Sequence, residues 1–333
     1  MPLSGNPLRV AVIGAGIIGR AHAQRLSSGT SDAVLVAVAD AHAETARAEA
    51  ARWGVTADPL DVLLARDDID AVIVAVPSGL HAQLTVAALD AGKHVLLEKP
   101  IEVTVEAADK ILDAEKRSGK VLSVASQRRF AAENQFVFRA IRDGHLGKVT
   151  SATVEVPLWR SQEYYDSGSW RGTWALDGGG ALMNQGVHLV DLALWLLGEV
   201  DEVYAHAGLL AHERIEVEDT VTITARLRDG VLLTFLATTA AYDGVPIRYA
   251  VFGNGGCVVV EDERLTRFDS SSGPAPAFDG APVDQPMAQL DDFVTAVKTG
   301  GRPLVTSAQA RAAVAFIEAV YRSARTGTPV RPR

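Results

Sequence analysis

A glycine-rich turn near the N-terminus is the feature that most constrains the fold of this chain of 333 residues. Residues 14–19 read Gly-Ala-Gly-Ile-Ile-Gly and follow an apolar run, residues 8–13, whose valine and isoleucine content is typical of a buried parallel strand. Asp40 lies about twenty residues beyond the turn, after a second apolar run. This arrangement indicates a dinucleotide-binding unit. The alternative is that the glycines only make a tight strand–helix connection.

The rest of the first half alternates apolar runs with helical stretches. The sequence predicts further strands over residues 34–39, 71–76, 94–97 and 121–125, and helices over residues 42–53 and 81–91. Because strands that alternate with helices form parallel sheets with right-handed crossovers, this half is predicted to be α/β.

Several residues of the first half are candidates for contacts with a dinucleotide. Asp40 is expected to accept hydrogen bonds from the adenosine ribose and to repel a 2′-phosphate, which favours NAD over NADP unless Arg47 or Arg52 compensates. His81 is either a cofactor contact at a helix start or an exposed helical histidine. The predicted cofactor contacts are Gly14, Gly16, Ile17, Ile18, Gly19, Asp40, Val76, Pro77, His81, Glu98, Lys99 and Gln127.

Two short stretches supply candidate acid–base groups, Lys99 and His188, that are expected to converge on one hydroxyl. Residues 98–100, Glu-Lys-Pro, follow the fourth strand, where desolvation would lower the pKa of Lys99. Three glycines at 178–180 open a helix in which Asn184 and His188 are four residues apart and share one face. We expect the glycines to leave the helix start open to cofactor or substrate, and Asp191 to orient or pack rather than react.

The segment before the three glycines is rich in arginine and aromatic side chains. Aromatic faces stack on sugar rings, and arginine donates to hydroxyl, carboxylate or phosphate oxygens; the alternative is that the tryptophans, Trp174 above all, anchor the core. Arg128 is expected to face the cleft, and Arg129 is a candidate for a structural ion pair. The predicted substrate contacts are Lys99, Arg128, Trp159, Arg160, Tyr164, Trp170, Arg171, Asn184 and His188.

Charge and composition argue against several classes of partner. The net charge of −9 and the pI near 5.4 disfavour nucleic acid or an anionic membrane as the main partner. Cys257 is the only cysteine, which excludes an intrachain disulfide and favours a reducing compartment. With no signal-like N-terminus and no apolar run of membrane-spanning length, a cytoplasmic location is expected. No metal site is predicted.

The second half is predicted to be rich in strands. They are expected over residues 148–156, 203–210, 220–227, 231–238, 248–252 and 257–261, with a hairpin turn at Asp229-Gly230. Threonine and charged residues alternate on one face, which indicates a sheet covered on one side only. A loop is predicted over residues 270–286, and helices over residues 287–298 and 307–325.

These motifs together resemble the glucose–fructose oxidoreductase, inositol dehydrogenase and rhizopine-catabolism family (Gfo/Idh/MocA). The resemblance rests on the glycine loop and on residues 91–100, 127–130 and 178–191, and it covers essentially the whole chain. It implies a Rossmann NAD-binding domain over residues 1–126. It also implies an α/β domain over residues 127–333, with a large open, mostly antiparallel sheet, that binds substrate and forms a homodimer or homotetramer.

The resemblance further implies an NAD-dependent dehydrogenase that acts on a CH–OH group of a sugar, cyclitol or sugar derivative, with Lys99, His188 and Asn184 as the residues of the catalytic site. Many members carry aspartate where this chain has Asn184, and the amide is expected only to orient His188 or the substrate, so that Asn184→Asp is tolerated. One alternative is internal cofactor recycling, in sugar–sugar oxidoreduction or glycoside cleavage. A less favoured alternative is a non-redox binding protein of the same fold.

Overall fold

The chain divides into two compact units. The computed structural model describes residues 6–29, 32–273, 277–278 and 280–333, so residues 274–276 and 279 of the predicted loop lie outside the described part. The first unit comprises Met1–Ser126 and Pro286–Arg311, and the second comprises Gln127–Gln285 and Ala312–Arg333. The sequence-based division kept all residues after 126 in one domain, whereas residues 286–311 belong to the first unit.

The strands of both units follow the predicted runs closely. The first unit contains β1 (Leu8–Ile13), β2 (Ala33–Ala39), β3 (Thr56–Ala57), β4 (Ala71–Val74), β5 (His94–Leu97) and β6 (Leu122–Val124). The second contains β7 (Val149–Pro157), β8 (Val200–Gly208), β9 (Thr220–Leu227), β10 (Leu232–Thr238), β11 (Arg248–Gly253), β12 (Gly256–Glu261) and β13 (Arg264–Ser270). The sequence did not predict β3, which has two residues, or β13, whose largely exposed, charged sequence lacks an apolar alternation.

In the part of the chain that the structure describes, ten α-helices connect or follow these strands. They are α1 (Ile17–Ser27), α2 (Ala43–Trp53), α3 (Leu60–Ala65), α4 (His81–Asp90), α5 (Val105–Ser118), α6 (Ala132–Arg142), α7 (Gln162–Asp166), α8 (Val187–Leu197), α9 (Gln285–Thr299) and α10 (Ser307–Thr326). Short 3₁₀ turns lie at Ser78–Leu80 and Gln127–Phe130, and a π-helical segment, Ala181–Gly186, leads into α8.

The first unit is built on a parallel sheet of six strands in the order β3-β2-β1-β4-β5-β6. This is a doubly wound arrangement, and the order reverses between β1 and β4, the position at which such sheets bind ligands. Leu290, Phe293 and Val294 of α9 pack into the same apolar core as β1 and β2. This packing explains why residues late in the chain belong to the first unit.

The second unit is built on a sheet of seven strands in the order β13-β12-β11-β7-β10-β9-β8. Among the described strands of this sheet, only the β7–β10 pair is parallel, and Gly230 makes the predicted β9–β10 hairpin turn with a φ of 84°. In β9 the apolar residues are buried, whereas Thr222, Thr224 and Arg226 are exposed. The sheet is therefore packed on one face, as the alternation predicts.

Candidate active site

The glycine loop after β1 has the geometry of a dinucleotide-binding turn. Gly14 has a φ of 97°, and a Cβ there would overlap the carbonyl oxygen of Ala75; a Cβ on Gly19 would overlap the carbonyl oxygen of Gly14. Gly16 differs, because a Cβ built on it meets nothing within 4 Å. Gly14 and Gly19 thus permit the tight turn, and Gly16 leaves its backbone open to the close approach of a ligand such as a pyrophosphate.

The first turn of α1 and the end of β2 complete this cradle. Ile17 and Ile18 are 76% and 50% exposed at the helix start. The Asp40 carboxylate accepts hydrogen bonds from the backbone N–H of Ala15, at 2.7 Å, and of His42, at 2.8 Å. A carboxylate has about four acceptor positions, so Asp40 keeps acceptor capacity for ribose hydroxyls while it holds the loop. These residues fit NAD.

Arg47 and Arg52, the two arginines considered as partners for a 2′-phosphate of NADP, make other contacts. Arg47 donates to the carbonyl oxygen of Ala43 at 3.2 Å, and the guanidinium of Arg52 lies 5.1 Å from the ring centroid of Trp53.

The carboxylate beside Lys99 is bound by a histidine that sequence reasoning missed. His22 of α1 is buried, and its Nε2 lies 2.8 Å from Oε1 of Glu98. The other Glu98 oxygen accepts from the backbone N–H of Lys99 at 3.3 Å. Lys99 is half-buried and lies two residues after the end of β5. His22 shares the buried stripe of α1 with Gly19, Ala23 and Leu26, so the helical period was a usable signal.

His81 is fully buried, which contradicts the interpretation as an exposed histidine. It begins α4 as predicted, but its ring binds backbone: Nδ1 lies 2.7 Å from the carbonyl oxygen of Pro100, and Nε2 lies 3.0 Å from that of Val76. Burial lowers the pKa of His81. Since both ring nitrogens contact carbonyl oxygens, the predicted cofactor contact through this side chain is wrong. The ring instead links the segment after Lys99 to the loop after β4.

In the second unit, Asn184 lies in the π-helical segment and His188 in the first turn of α8. The sequence predicted one regular helix, and the wider π turn alters the angle between the two side chains. The Asn184 Nδ2 donates to Asp177, and the Asn184 Oδ1 accepts from Gln185 at 2.9 Å. Asp177 is buried and also accepts from the backbone N–H of Gly172 at 2.9 Å. A buried carboxylate therefore fixes the orientation of this amide.

The three glycines do not leave the helix start open, and that expectation is wrong. Buried Glu218 accepts from the backbone N–H of Gly180 at 3.0 Å and of Leu182 at 2.9 Å, and from the hydroxyl of Tyr321 at 3.0 Å. A Cβ on Gly180 would overlap the Glu218 backbone, and one on Gly179 would overlap Tyr321. The glycines give room for a carboxylate that satisfies the N–H groups at the helix start. Burial raises the pKa of Glu218.

Four polar side chains of the second unit form a network that ends at Asn184. The Nη2 of Arg160 donates to Oε1 of Gln185 at 2.9 Å, and Nε2 of Gln185 contacts the hydroxyl of Tyr164 at 3.2 Å as well as Asn184. The Nη1 of Arg171 donates to the same hydroxyl at 2.8 Å. The structure thus brings together four predicted substrate contacts and adds Gln185, which the sequence did not single out.

The other predicted substrate contacts of the second unit lie beside or outside this network. Trp170 lies beside Arg171, whose guanidinium is 4.5 Å from its ring centroid. Trp159 bridges to Ala240, and Arg128 pairs with Glu263 at 2.9 Å.

Three further side chains settle alternatives that the sequence left open. Arg129 makes a buried two-point ion pair with Asp191, at 2.7 and 2.5 Å, so both residues are structural. Trp174 is 42% exposed and is not a core anchor. Gln127 is half-buried at the start of the second unit.

Comparison with known proteins identifies the family. Residues 8–126 match the model of the Gfo/Idh/MocA oxidoreductase family with an NAD-binding Rossmann fold, and residues 135–259 match a C-terminal domain model of that family. The chain is 30% identical to inositol 2-dehydrogenase of Rhizobium meliloti (strain 1021), over 95% of this chain and 96% of that protein. The chain belongs to the Gfo/Idh/MocA family. It is an NAD-binding oxidoreductase, which confirms the predicted family, enzyme class and cofactor.

Solved structures agree with this assignment. The WlbA dehydrogenase from Bordetella pertussis, in complex with NADH and UDP-GlcNAcA, is 31% identical and superposes with a TM-score of 0.92 over 99% of both chains. The aldose-aldose oxidoreductase from Caulobacter crescentus, complexed with glycerol, is 26% identical, with a TM-score of 0.86 over 98% of this chain and 99% of that chain. The predicted α/β fold with a second, mostly antiparallel sheet is confirmed. Within the described residues, no helix is long and apolar enough to span a membrane.

Proposed function

We propose that this protein is an NAD-dependent dehydrogenase that oxidises a carbinol carbon of a sugar, cyclitol or sugar derivative. The observation that carries the proposal is the setting of Lys99. This lysine follows the strand next to β4, and the carboxylate before it is bound by His22 of the helix that follows the glycine loop. A lysine fixed beside the end of such a sheet is suited to chemistry at a bound dinucleotide.

Lys99 and His188 are the proposed catalytic residues. The bound nicotinamide supplies the hydride chemistry. The Lys99 ammonium stabilises the developing alkoxide with its N–H donors, and His188 holds or moves the hydroxyl proton. Asn184 exchanges no proton. Since Asp177 and Gln185 fix its amide, Asn184 orients rather than reacts.

The names of similar proteins support this class of substrate. They include an inositol 2-dehydrogenase and a dehydrogenase solved with UDP-GlcNAcA, so cyclitols and sugar derivatives are the first compounds to test. The similarity to an aldose-aldose oxidoreductase favours a second candidate function, in which NADH stays bound and is reoxidised by a second sugar. A protein purified with tightly bound NADH, and active only with a sugar pair, would favour this second function.

The test of the proposed function is a screen of NAD reduction with inositols, aldoses, anhydrosugars and uronic acids. With an active substrate, Lys99→Ala and His188→Ala are each expected to lower kcat by about 10²- to 10⁴-fold, the scale of a positioned acid or base. NAD affinity should change little in His188→Ala. Near-normal turnover of either variant would overturn the assignment, and NAD binding without turnover of any sugar would support a non-redox binding protein.

We also infer that the open face of the second sheet forms a homodimer or homotetramer. The exposed side chains of β9 and β10 include Leu232 beside threonines, and such a face is suited to burial against a second copy. Light scattering of the protein and of Leu232→Lys tests this inference. The single cysteine, Cys257, supports a cytoplasmic location.

A further inference from the structure

Arg160 and Arg171 are held close to the same aromatic ring. Their guanidinium carbons lie 5.2 Å and 4.3 Å from the ring centroid of Tyr164. The two guanidinium carbons therefore lie at most about 9.5 Å apart, close to the Debye length of about 8 to 10 Å, so salt screens the repulsion between the two positive charges only in part. Specific contacts, rather than mutual attraction, keep both guanidinium groups in place.

The contacts that hold the two arginines are neutral. Arg160 donates to the carbonyl oxygen of Trp159 at 3.1 Å and to the amide of Gln185, and Arg171 donates to the hydroxyl of Tyr164. Among the residues that the structure describes, no carboxylate forms an ion pair with either guanidinium, and the buried Nε of Arg160 has no hydrogen-bond partner.

Two other arginines of the same unit form ion pairs with carboxylates. Arg214 pairs with Asp166 at 2.8 Å, and Arg129 pairs with Asp191. The pair at Tyr164 is therefore a local concentration of positive charge, although the whole chain carries a net charge of −9.

This pair is connected to Asn184, the residue proposed to orient the substrate. Gln185 receives the hydrogen bond from Arg160 and donates to Oδ1 of Asn184, so one amide joins the guanidinium to the asparagine. A group bound by the arginines would lie beside a substrate that Asn184 orients. Planar guanidinium groups match the paired oxygens of carboxylates and phosphates, and an anion there would relieve the repulsion.

We propose that Arg160 and Arg171 bind an anionic group of the substrate, so that the enzyme acts on a sugar that carries a carboxylate or a phosphate. This assignment rests on the proposed dehydrogenase function. Both groups present a pair of anionic oxygens that a guanidinium can bind at two points. The experiment therefore includes one compound of each kind with a common neutral parent.

The first measurement is binding to the NADH-loaded enzyme by calorimetry, with glucose, glucuronate and glucose 6-phosphate as probes. At least one charged sugar is expected to bind about 10- to 100-fold more tightly than glucose, the scale of hydrogen bonds to a charged group. The charged sugar that binds identifies the anion as carboxylate or phosphate. Equal affinity for all three sugars overturns the proposal.

The second measurement compares Arg171→Gln with Arg214→Gln. Arg171 is a better choice than Arg160 because it contacts Tyr164 and not Gln185, so its replacement leaves the link to Asn184 intact. Arg214 is the control because it forms an ion pair outside the network. Arg171→Gln should weaken binding of the charged sugar at least about tenfold more than it weakens binding of glucose, whereas Arg214→Gln should keep the preference for the charged sugar. An equal loss for charged and neutral sugars in Arg171→Gln, or the same loss of preference in Arg214→Gln, overturns the proposal.

These outcomes separate the two proposals. If charged sugars bind through Arg171 but never reduce NAD, the proposed dehydrogenase activity is wrong and the anion site is still supported. Turnover of neutral sugars through Lys99 and His188, with no preference for charged ones, contradicts the anion site alone.

Discussion

The Nε2 of His22 lies 2.8 Å from Oε1 of Glu98, the residue that precedes Lys99. Both partners are in the first unit, and His22 belongs to the helix that begins at the glycine loop. One hydrogen bond thus connects the cofactor-binding turn with the segment that carries the proposed catalytic lysine. His22 is a positioning residue, because it acts on Lys99 through Glu98.

His22→Ala should lower kcat by about tenfold, because the loss of a hydrogen bond to a charged group leaves Glu98 without its partner on α1. NADH affinity should change less than kcat, since the glycine loop itself is intact. His22→Gln, which retains an N–H donor, should recover part of the activity. The measurements are kcat and KM on an active substrate together with NADH binding. A fall in NADH affinity as large as the fall in kcat would indicate a general defect of α1.

Asp40 should make NAD bind more tightly than NADP, because its carboxylate repels a 2′-phosphate. Asp40→Ser should narrow the gap between the two dissociation constants. It should also weaken NAD binding, since the bonds to Ala15 and His42 hold the loop. Asp40→Asn removes the charge and keeps one of the two acceptor oxygens, so it should weaken NAD binding less than Asp40→Ser does. Equal affinity of the unchanged protein for NAD and NADP would contradict the role of Asp40.

Glu218 should support the stability of the second unit. Glu218→Ala leaves the N–H groups of Gly180 and Leu182 and the hydroxyl of Tyr321 without this acceptor. The free energy of unfolding should fall by about 1–3 kcal/mol, measured by urea denaturation. Glu106→Ala, at an exposed position on α5, is the matched control and should change it little.

Glu218 should also make the free energy of unfolding depend on pH. Burial raises the pKa of Glu218 above its unfolded value, so the folded protein binds this proton more tightly. The contribution of Glu218 to the free energy of unfolding is therefore greatest below its unfolded pKa, and it declines as pH rises through the raised folded pKa. Glu218→Ala should lack this decline. If the free energy of unfolding of Glu218→Ala declines with pH as steeply as that of the unchanged protein, another group causes the decline.

The sequence reveals the local parts of the site because local patterns encode them. Residues 14–19 and Asp40 are recognisable from a strand–turn–helix arrangement, and the strands from their apolar periods. Glu218 and Tyr321 contact the glycine triplet from distant parts of the chain, so no short sequence motif predicts these contacts. The π-helical segment escapes prediction for another reason: its residues carry the same helical pattern as an α-helix, and tertiary contacts decide the wider turn.

The contact between Asn184 and Asp177 changes what to expect at position 184. From the sequence, aspartate should be tolerated there because the family often has it. In the structure, Asn184→Asp would face a second carboxylate in a buried setting, because Asp177 accepts the amide donor. Two carboxylates in contact cannot both ionise easily, so one pKa of the pair should be strongly raised.

Asn184→Asp should therefore lose activity at high pH, where both carboxylates are charged, and regain it at low pH, where they share a proton. Asn184→Ala has no titrating group at this position and should keep the original shape of the kcat/KM profile against pH, with a moderately raised KM or lowered kcat. The decisive protein is the double variant Asp177→Asn with Asn184→Asp, which restores one amide and one carboxylate. It should recover activity at high pH relative to Asn184→Asp alone. If the single variant Asn184→Asp is as active as the unchanged protein across the whole pH range, Asp177 does not constrain this side chain as proposed.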